Sequence, residues 1–598
     1  MNFFKALIAS TIGTLLAMVL IILIFVIMIV SSVSGSEEKV KELTDNTILH
    51  IKLDEVITER SSEGEIKFQP GSFQSEVNLG LNQFIEDLQD AAKDEKIKGI
   101  FFEPSSVMAS PSTMLDVHKA LEDFRASGKW IVSYSEDYSQ GTYYLASTAN
   151  EVYLYPEGSL DWRGINAEIM FFKKMLDKLE IEAQIIRGPN NKFKSAVEPF
   201  MYDQMSEANK VQVETFISDI WRIMLEGISQ SRNISVESLN AYADSLMFVT
   251  PDKVAEYHMV DGLKYRDEVI SILKSKVGMD AAAKDEDMNL FSLSEYHSKK
   301  NEDDDDDDEP DYKKDKVAVV YAVGAIESGE GNDETIGSER IARALKEARE
   351  DEKVKAIVLR VNSPGGSALA SDVIWRETKL IRDSGKTFYV SMGDYAASGG
   401  YYISCSAEKI YANPNTITGS IGVFGIVPNF QKFWDNKLGI TFDRYETNPH
   451  ADLISTNKPF DEKEMQAMQS MVTSIYDDFT SKVATGRNMT QANVDSIGQG
   501  RVWSGEDAKN IGLVDEIGNL DACVKAAAAK AGLTDYAVKD LPKMIDPFEE
   551  FMQQLTGQKQ AKILQEILGD QYHSLANFKH LTEMRGIQAR LPFFMEIK

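Results

Sequence analysis

Two glycine-rich loops in the second half of the chain carry the residue types best suited to covalent chemistry. The first, NSPGGS, spans residues 362–367 and follows the apolar run AIVLRV; the second, GDYAASGGYYIS, spans residues 393–404 and follows TFYVSM. The small neighbours of Ser398 would let a substrate backbone approach closely, and the helical pattern after it would place unpaired backbone N–H groups near its hydroxyl. We interpret Ser398 as a candidate nucleophile, with Gly365 and Gly366 as candidate donors to an oxyanion. By its local sequence alone, Ser398 is better explained as a helix cap, with the glycines as turn residues.

A serine nucleophile needs a base, and the residues leave three candidates. The second half contains one histidine, His450, in NPHADL, with no recognisable companion motif. A lysine can also serve if burial lowers its pKa from about 10.4 toward neutrality. The segment GPNNKFKSAVEPF, residues 188–200, offers Lys192 and Lys194, and the small residues after Lys194 suit a tight, partly buried site. Most lysines are solvated surface charges, so this pattern alone does not select the base.

Composition and motifs argue against several other classes of function. The chain has seven histidines but no HExxH pair, and it has no GxxxxGK[ST] loop, so we expect neither a zinc centre nor a nucleotide cofactor. The formal net charge of −30 makes nucleic acid an unfavourable partner. Two cysteines, Cys405 and Cys523, cannot form a disulfide framework. The acidic run at 303–308 lacks the spacing of a calcium loop, so we expect no metal site there.

Parallel α/β elements are predicted to hold the two loops. Apolar runs rich in β-branched residues at 317–323, 356–361 and 387–392 are typical of buried strands, and a helical pattern beginning at Ala368 separates the last two. A strand, a helix and a strand within about 30 residues form a βαβ unit with a parallel sheet. Because sites in such folds form at the carboxyl ends of strands, we expect the two loops to lie together there.

The chain also contains a degenerate internal repeat. DEKIKGIFFEPSS from Asp94 resembles DEKVKAIVLRVNS from Asp351, and a longer segment from Asp137 resembles the one from Asp394 at the same spacing. The first copy has Gln140 and Gly141 around the position of Ser398, which fits a single active copy. We therefore predict two related domains. The predicted boundaries are 46–275 for the first domain, 276–315 for an acidic linker, 316–540 for the second domain and 541–598 for a mostly helical extension.

The first 36 residues predict a membrane anchor. Residues 6–36 carry no charge and are mostly Leu, Ile, Val, Met, Phe or Ala. This length suits a spanning helix of about 20 residues better than a cleaved signal peptide. Lys5 precedes the span, and balanced charges follow it. The positive-inside rule then predicts a single-pass protein of the cytoplasmic membrane, with its N-terminus in the cytoplasm and its domains on the periplasmic, extracytoplasmic side.

Four motifs together resemble those of the long form of signal peptide peptidase A, and the resemblance covers nearly the whole chain after the anchor. DYAASGGYYIS resembles the nucleophile motif of that family, and KSAVEPF resembles the motif that carries its general-base lysine. TGSIGVFG and NSPGG resemble two further motifs of the family. The resemblance implies that Ser398 is the nucleophile and that Lys194, rather than Lys192, is the base.

The same resemblance implies further roles and an assembly. Ser420 would hydrogen-bond the lysine, and Gly365 with Gly399 would donate amides to the oxyanion. The fold would be two tandem ClpP/crotonase-like α/β domains, with the base from the first and the nucleophile from the second. Such members form a homotetramer on the membrane, which receives signal peptide remnants and other hydrophobic or unfolded peptides. No cofactor is implied.

Two alternatives stay open from the sequence. The same fold supports crotonase-like acyl-CoA enzymes, which would need neither the lysine of KSAVEP nor a membrane span. An inactive membrane scaffold would need no Ser–Lys–Ser set at all. Contact between the lysine amine and the serine hydroxyl would favour the protease, and its absence would favour either alternative.

Overall fold

The computed structural model describes Gly13 and residues 42–54, 56–61, 65–69, 72–76, 80–304, 314–545, 588–590 and 596–597. Within these ranges, no helix combines the length and apolar character that a membrane crossing requires. The predicted anchor at 1–36 lies outside the described residues apart from Gly13, and so does most of the predicted C-terminal extension.

The first half is built on a six-stranded parallel sheet with the strand order β10-β1-β4-β5-β6-β9. The strands are β1 (Thr47–Ile51), β2 (Glu65–Gln69), β3 (Ser72–Glu76), β4 (Ile97–Phe102), β5 (Trp130–Tyr138), β6 (Glu151–Leu160), β7 (Ala167–Glu168), β8 (Glu182–Arg187), β9 (Gly262–Leu263) and β10 (Leu290–Phe291). The helices are α1 (Leu81–Lys93), α2 (Pro111–Ala126), α3 (Gln140–Ala146), α4 (Lys173–Leu179), α5 (Glu198–Met201), α6 (Glu207–Arg232), α7 (Val236–Asp244), α8 (Pro251–Glu256), α9 (Arg266–Lys276) and α10 (Leu293–Asp304). Short 3₁₀ turns lie at Ser195–Val197 and Asp285–Asp287.

Both faces of this sheet are buried. Successive side chains of a strand point to opposite faces, and β4 accordingly places Ile100 and Phe102 in one apolar cluster and Phe101 in another. Parallel sheets need such cover on both faces, because their βαβ connections carry helices across each side. The first-half segment of the internal repeat, IKGIFF, therefore forms a buried strand, like its counterpart in the second half.

The first domain continues past its predicted boundary at residue 275. β10 pairs in parallel with β1, and Phe291, Leu293 and Tyr296 are buried in the core of the first half. Residues 276–304 of the predicted acidic linker are thus structured. They fold because these apolar side chains pack on the first half's core at the edge of the sheet, although many neighbouring residues are charged. Residues 305–313, which hold most of the acidic run, lie outside the described residues.

The second half repeats the architecture with the strand order β20-β18-β16-β14-β11-β22, and β17 and β21 branch from β16. The strands are β11 (Lys316–Val323), β12 (Ala325–Glu327), β13 (Thr335–Gly337), β14 (Val354–Ser363), β15 (Gly365–Ser367), β16 (Thr387–Ala397), β17 (Lys409–Ala412), β18 (Ile417–Gly419), β19 (Phe424–Asn429), β20 (Val502–Ser504), β21 (Glu516–Ile517), β22 (Ala537–Leu541), β23 (Gln588–Arg590) and β24 (Glu596–Ile597). The helices are α11 (Ser338–Glu350), α12 (Ala368–Asp383), α13 (Gly399–Ser404), α14 (Glu462–Gly486), α15 (Gln491–Ile497), α16 (Gly505–Asn510) and α17 (Leu520–Lys530), with a π-helix at Phe433–Leu438.

The repeat seen in the sequence is also visible in local geometry. Asp94 and Asp351 both follow a helix and precede a central strand, and each side chain accepts a hydrogen bond from the backbone N–H two residues later at 2.9 Å. The three strands predicted in the second half lie within β11, β14 and β16. Two tandem α/β domains are therefore present.

A third sheet joins the halves. Its order is β13-β12-β15-β23-β19-β8, and β8 of the first half pairs antiparallel with β19 of the second over six residues. The segment that carries Lys194 begins directly after β8, at Gly188. The β8–β19 pairing therefore brings this segment of the first half to the second half's sheet.

Candidate active site

Ser398 lies at a sharp, buried turn between strand and helix. It follows β16 and precedes α13, and its side chain is fully buried. Its backbone has φ 55° and ψ −110°, a conformation that L-residues rarely adopt. The turn is held by bonds from Ser398 N–H to Gly419 O and from Tyr402 N–H to Ser398 O, both 2.8 Å. Strain maintained this way in a buried loop is typical of functional positions.

Lys194 meets Ser398 across the boundary between the halves. Its Nζ lies 2.9 Å from Ser398 Oγ, 2.9 Å from Ser420 Oγ and 3.1 Å from Ser420 O. The lysine is only 1% exposed, and burial lowers its pKa well below the usual range. A buried amine contacting these neutral groups is favoured in its uncharged, basic form.

Two glycines make room for the lysine stem. A Cβ at Gly500, which has φ 73°, would lie 2.4 Å from Lys194 Cβ, and one at Gly422 would lie 3.3 Å from Lys194 Cδ. The other two candidate bases lie elsewhere. Lys192 is exposed, with its amine over the ring of Phe193, and His450 is an exposed residue that contacts Glu464.

Ser420 completes the cluster from the turn after β18. It is fully buried, has φ 51°, and its N–H donates to Arg501 O at 2.6 Å. Its hydroxyl and its carbonyl both contact the lysine amine, so they restrain the direction in which Nζ presents its lone pair. The sequence resemblance implies that Ser420 hydrogen-bonds the lysine, and the Ser420 hydroxyl lies within hydrogen-bond distance of Lys194 Nζ.

Replacing Ser420 with alanine should lower kcat by about 10- to 100-fold, because one of two restraints on the amine is lost while the carbonyl contact remains. Steady-state kinetics of Ser420→Ala would measure this loss. Ser404→Ala is a matched control, since Ser404 is equally buried but donates only to Gly400 O within its own helix. Equal kcat values for the Ser420 and Ser404 variants would contradict a role for the Ser420 hydroxyl.

The loop NSPGGS adjoins the turn that holds Ser398. Gly365 has φ 95°, and a Cβ there would lie 2.8 Å from Gly399 N and 2.9 Å from Ala397 O. In this structure Gly365 N–H donates to Ser363 Oγ at 3.1 Å. Gly366 instead lies within the joining sheet, in register with Ile326 on one side. The geometry thus places Gly365 and Gly399 side by side near Ser398, whereas Gly366 supports the loop from the sheet.

A strand from the C-terminal region lies against this loop. β23 pairs antiparallel with β15, with Gly365 opposite Arg590 and Gly366 opposite Ala589, and its Gln588 pairs with Phe424 of β19. Ala589 is fully buried, and its carbonyl oxygen would lie 2.3 Å from a Cβ on Gly365. An extended segment of polypeptide therefore fits between β15 and β19, beside the Ser398 turn.

The related turn of the first copy holds Ser139 and Gln140, and the Ser139 hydroxyl caps α3 by accepting a bond from Thr142 N–H at 3.1 Å. Gln140 lies there, and its side-chain oxygen accepts bonds from Arg163 N–H at 2.8 Å and Gly164 N–H at 2.7 Å, while its amide donates to Gly164 O at 3.0 Å. The glutamine thus ties two loops of the first half together. This structural use agrees with the expectation of a single active copy.

Sequence reasoning missed Gln212 of α6, which supports the lysine segment. Its amide donates to Ser195 Oγ at 2.7 Å and to Phe193 O at 3.2 Å, and its oxygen accepts from Val502 N–H at 3.4 Å. Gln212 is 1% exposed. A glutamine on a long amphipathic helix is typical of a solvent-facing position, so no local signal distinguished it.

A strained, buried serine in contact with a buried lysine, at the carboxyl ends of parallel strands and next to a groove that holds an extended chain, has the features of a serine peptidase. The chain belongs to peptidase family S49, whose sequence model matches residues 123–280 and 381–534. The first match contains Lys194, and the second contains both Ser398 and Ser420.

Curated relatives agree with this membership. The chain is 36% identical to protease 4 of Salmonella typhi, over 81% of this chain and 77% of that protein, and 35% identical to protease 4 of Haemophilus influenzae, over 85% and 83%. It is 28% identical to the chloroplastic serine protease SPPA of Arabidopsis thaliana, over 86% and 75%. This chain is thus a serine protease of the signal peptide peptidase type, which favours the protease over the acyl-CoA and scaffold alternatives.

Among solved structures, ClpP1 from Listeria monocytogenes matches 34% of this chain and 94% of its own length, with 20% sequence identity and a TM-score of 0.22.

Proposed function

We propose that the protein is a membrane-bound endopeptidase in which Ser398 is the nucleophile and Lys194 the general base. The contact of 2.9 Å between Lys194 Nζ and Ser398 Oγ in a buried pocket is the observation that carries this proposal. A lysine can act as a base near neutral pH only if its amine is desolvated, and Lys194 meets that condition.

The reaction follows from these groups. Uncharged Lys194 accepts the Ser398 hydroxyl proton while Oγ attacks the peptide carbonyl. The N–H groups of Gly365 and Gly399 stabilise the oxyanion; the Gly365 donor exchanges its resting partner, Ser363 Oγ, for the substrate oxygen. Lys194 then gives its proton to the leaving amine, and water releases the acyl group from Ser398 by the same route in reverse.

The substrate binds as an extended strand. β23 already runs between β15 and β19 in this manner, with its backbone against Gly365 and Gly399. Strand addition of this kind takes its affinity from main-chain hydrogen bonds and its selectivity from alternate side chains. Unfolded peptides can enter such a groove and folded domains cannot, which supports signal peptide remnants and other hydrophobic or unfolded peptides as substrates.

The anchor and the assembly belong to the same proposal. Residues 1–36 hold the protein in the cytoplasmic membrane with the N-terminus in the cytoplasm, so that the catalytic domains face the periplasmic or extracytoplasmic space. The working form is a homotetramer. Light scattering on the full chain in detergent measures the mass of the assembly, and a monomer or dimer there would contradict the tetramer.

Cleavage of defined peptides tests the function. The full chain in detergent should cut a peptide with a signal-peptide apolar core faster than a polar peptide of equal length, with both reactions followed by mass spectrometry. Ser398→Ala should abolish both cleavages, because it removes the atom that forms the acyl-enzyme. Undiminished cleavage by Ser398→Ala would reject the assigned nucleophile.

Shortening the chain should stimulate the enzyme. A chain ending at residue 587 lacks β23, so a peptide no longer competes with a tethered strand for the groove. We expect its KM to fall by about tenfold with kcat little changed. A chain ending after Arg590 keeps β23 and is the matched control, with kinetics like the full chain. Loss of activity in the shorter chain alone would show instead that β23 is a required part of the site.

A further inference from the structure

The halves also meet at a second buried polar cluster, beside the catalytic turn. The carboxylate of Glu59, from the first half, accepts bonds from Arg360 Nε at 2.9 Å and Arg360 Nη2 at 3.2 Å. The side chain of Arg360 is 1% exposed, and that of Glu59 is 7% exposed. Arg360 Nη1 also donates to Ser391 Oγ and Met392 O, on the strand that leads to Ser398. Burying a charge pair destabilises the fold unless its remaining hydrogen-bond donors also find partners. Here the remaining donor of Arg360, Nη1, finds its partners on the strand that leads to Ser398.

A second carboxylate crosses the same boundary in the opposite direction. Asp394, from the second half, accepts a bond from Thr113 N–H at 2.9 Å and contacts Thr113 Oγ1 at 3.1 and 3.2 Å. Thr113 lies in the first turn of α2, whose N-cap residue, Ser110, makes no side-chain capping bond. Asp394 therefore caps a helix of the other domain and satisfies one of the N–H groups that a helix start leaves unpaired.

Asn362 links the two carboxylates to both catalytic loops. Its amide donates to Glu59 Oε1 at 2.8 Å and to Asp394 Oδ2 at 2.9 Å, and its side-chain oxygen accepts from Tyr395 N–H at 3.1 Å. It is also the first residue of NSPGGS, the loop that contains Gly365. The turn that holds Ser398 begins four residues after Asp394. Both loops of the active site are thus fastened to the first half through one buried network.

We propose that Glu59 and Thr113 of the first half are positioning residues for catalysis, which act through Arg360, Asn362 and Asp394 to hold the Ser398 turn and the oxyanion loop. The inference rests on the proposed function of Ser398 and extends it. The first half supplies more than a base: it holds the strained turn in its reactive geometry, so the site is competent only when the halves are docked. Misplacement of reacting groups by about 1 Å costs about 100-fold in rate.

Two substitutions in the first half test the proposal without touching a reacting group. Glu59→Gln keeps the shape of the side chain but removes the charge that pairs with Arg360, and Thr113→Val keeps the N–H bond to Asp394 but removes the hydroxyl. We expect kcat to fall by about 10- to 100-fold in Glu59→Gln and by about tenfold in Thr113→Val, with KM within about twofold. Thr113→Ser restores the hydroxyl and should restore kcat.

The control is a partly buried charged pair whose hydrogen bonds, among the described residues, go to neither catalytic loop. Asp515 pairs with Arg487 at 2.7 Å and accepts a bond from Ile410 N–H at 2.8 Å. Asp515→Asn should lower the melting temperature without changing kcat. Amide hydrogen exchange gives an independent readout: residues 393–405 should exchange faster in Glu59→Gln than in Asp515→Asn at a matched margin below each melting temperature.

The outcomes separate this proposal from the proposed function. Ser398→Ala is assayed in parallel. If Ser398→Ala is inactive while Glu59→Gln and Thr113→Val keep full kcat, the network only stabilises the fold and the positioning role is wrong. If Ser398→Ala stays active, the assignment of the nucleophile itself fails. If Glu59→Gln does not fold, Thr113→Val against Thr113→Ser decides the matter alone, since neither change leaves a charge unpaired.

Discussion

Replacing Lys194 with methionine should lower kcat for peptide cleavage by about a thousandfold or more while the protein stays folded. Methionine fills nearly the same volume in the pocket but offers no amine to accept the Ser398 proton. Lys192→Met is the matched control, because Lys192 lies two residues away and is exposed; it should keep full activity. Equal activity in the two variants would mean that the base lies elsewhere.

The same substitution should change how stability depends on pH. Burial lowers the folded-state pKa of Lys194 well below 10.5, so folding releases a proton from this amine between the folded and the unfolded pKa. The free energy of unfolding of the wild type therefore loses a contribution as pH falls from about 10.4 toward the folded pKa, and stays reduced below it. Lys194→Met has no amine to titrate and does not lose this stability. The denaturant midpoint of Lys194→Met, relative to that of the wild type, should therefore rise as pH falls from the unfolded to the folded pKa of Lys194.

The rate of cleavage should depend on the same titration and should also fall as pH falls. The proposed base is the uncharged amine of Lys194, so kcat/KM should rise with pH, and the midpoint should lie well below the pKa of an exposed lysine. Initial rates measured at low substrate concentration over a series of pH values give kcat/KM, and its midpoint reports the pKa in the free enzyme. A midpoint at the usual lysine value would show that the amine is solvated when it acts, contrary to its burial here.

Local patterns in the sequence were sufficient for the strands and the loops that follow them. The apolar runs around Ile357 and Val390 form central strands, and the glycine-rich loops after them meet beside Ser398, as parallel βαβ geometry requires. The repeat likewise predicted two domains of one architecture. These features depend on residues near one another in the chain, where spacing carries the information.

Long-range contacts were not predictable in the same way. Nothing in the residues around Lys194 shows that β8 pairs with β19, yet this pairing decides that Lys194 and not Lys192 is buried. Only the resemblance of KSAVEPF to a family motif favoured Lys194 over Lys192 as the base. One local signal was present but overlooked: Arg360 is a charged residue within the apolar run AIVLRV, and a charge in a buried strand requires a partner. That partner, Glu59, lies in the other half.

Substituting Gly365 with alanine should reduce kcat/KM by about 100-fold or more, because the loop that carries a proposed oxyanion donor cannot keep its conformation. Its φ of 95° favours glycine, and a Cβ would lie 2.8 Å from Gly399 N and 2.9 Å from Ala397 O. Both are backbone atoms of the turn that holds Ser398, so neither can yield by rotating a side chain. Relief requires that the two loops move apart, which separates the two proposed amide donors; loss of one such donor typically costs 10²–10³ in kcat.

Gly385→Ala is the matched control for Gly365→Ala. Both substitutions place alanine at a positive φ, but only the one at Gly365 also places a Cβ against the neighbouring loop. Gly385 has φ 82° and no atom within 4 Å of an added Cβ. It follows α12 in the same domain and takes part in none of the contacts described above for the site. Its substitution should cost about 1 kcal/mol of stability and leave kcat/KM unchanged. If Gly365→Ala loses no more activity than Gly385→Ala, the close approach of the two loops does not matter for catalysis, and the oxyanion must be held by other donors.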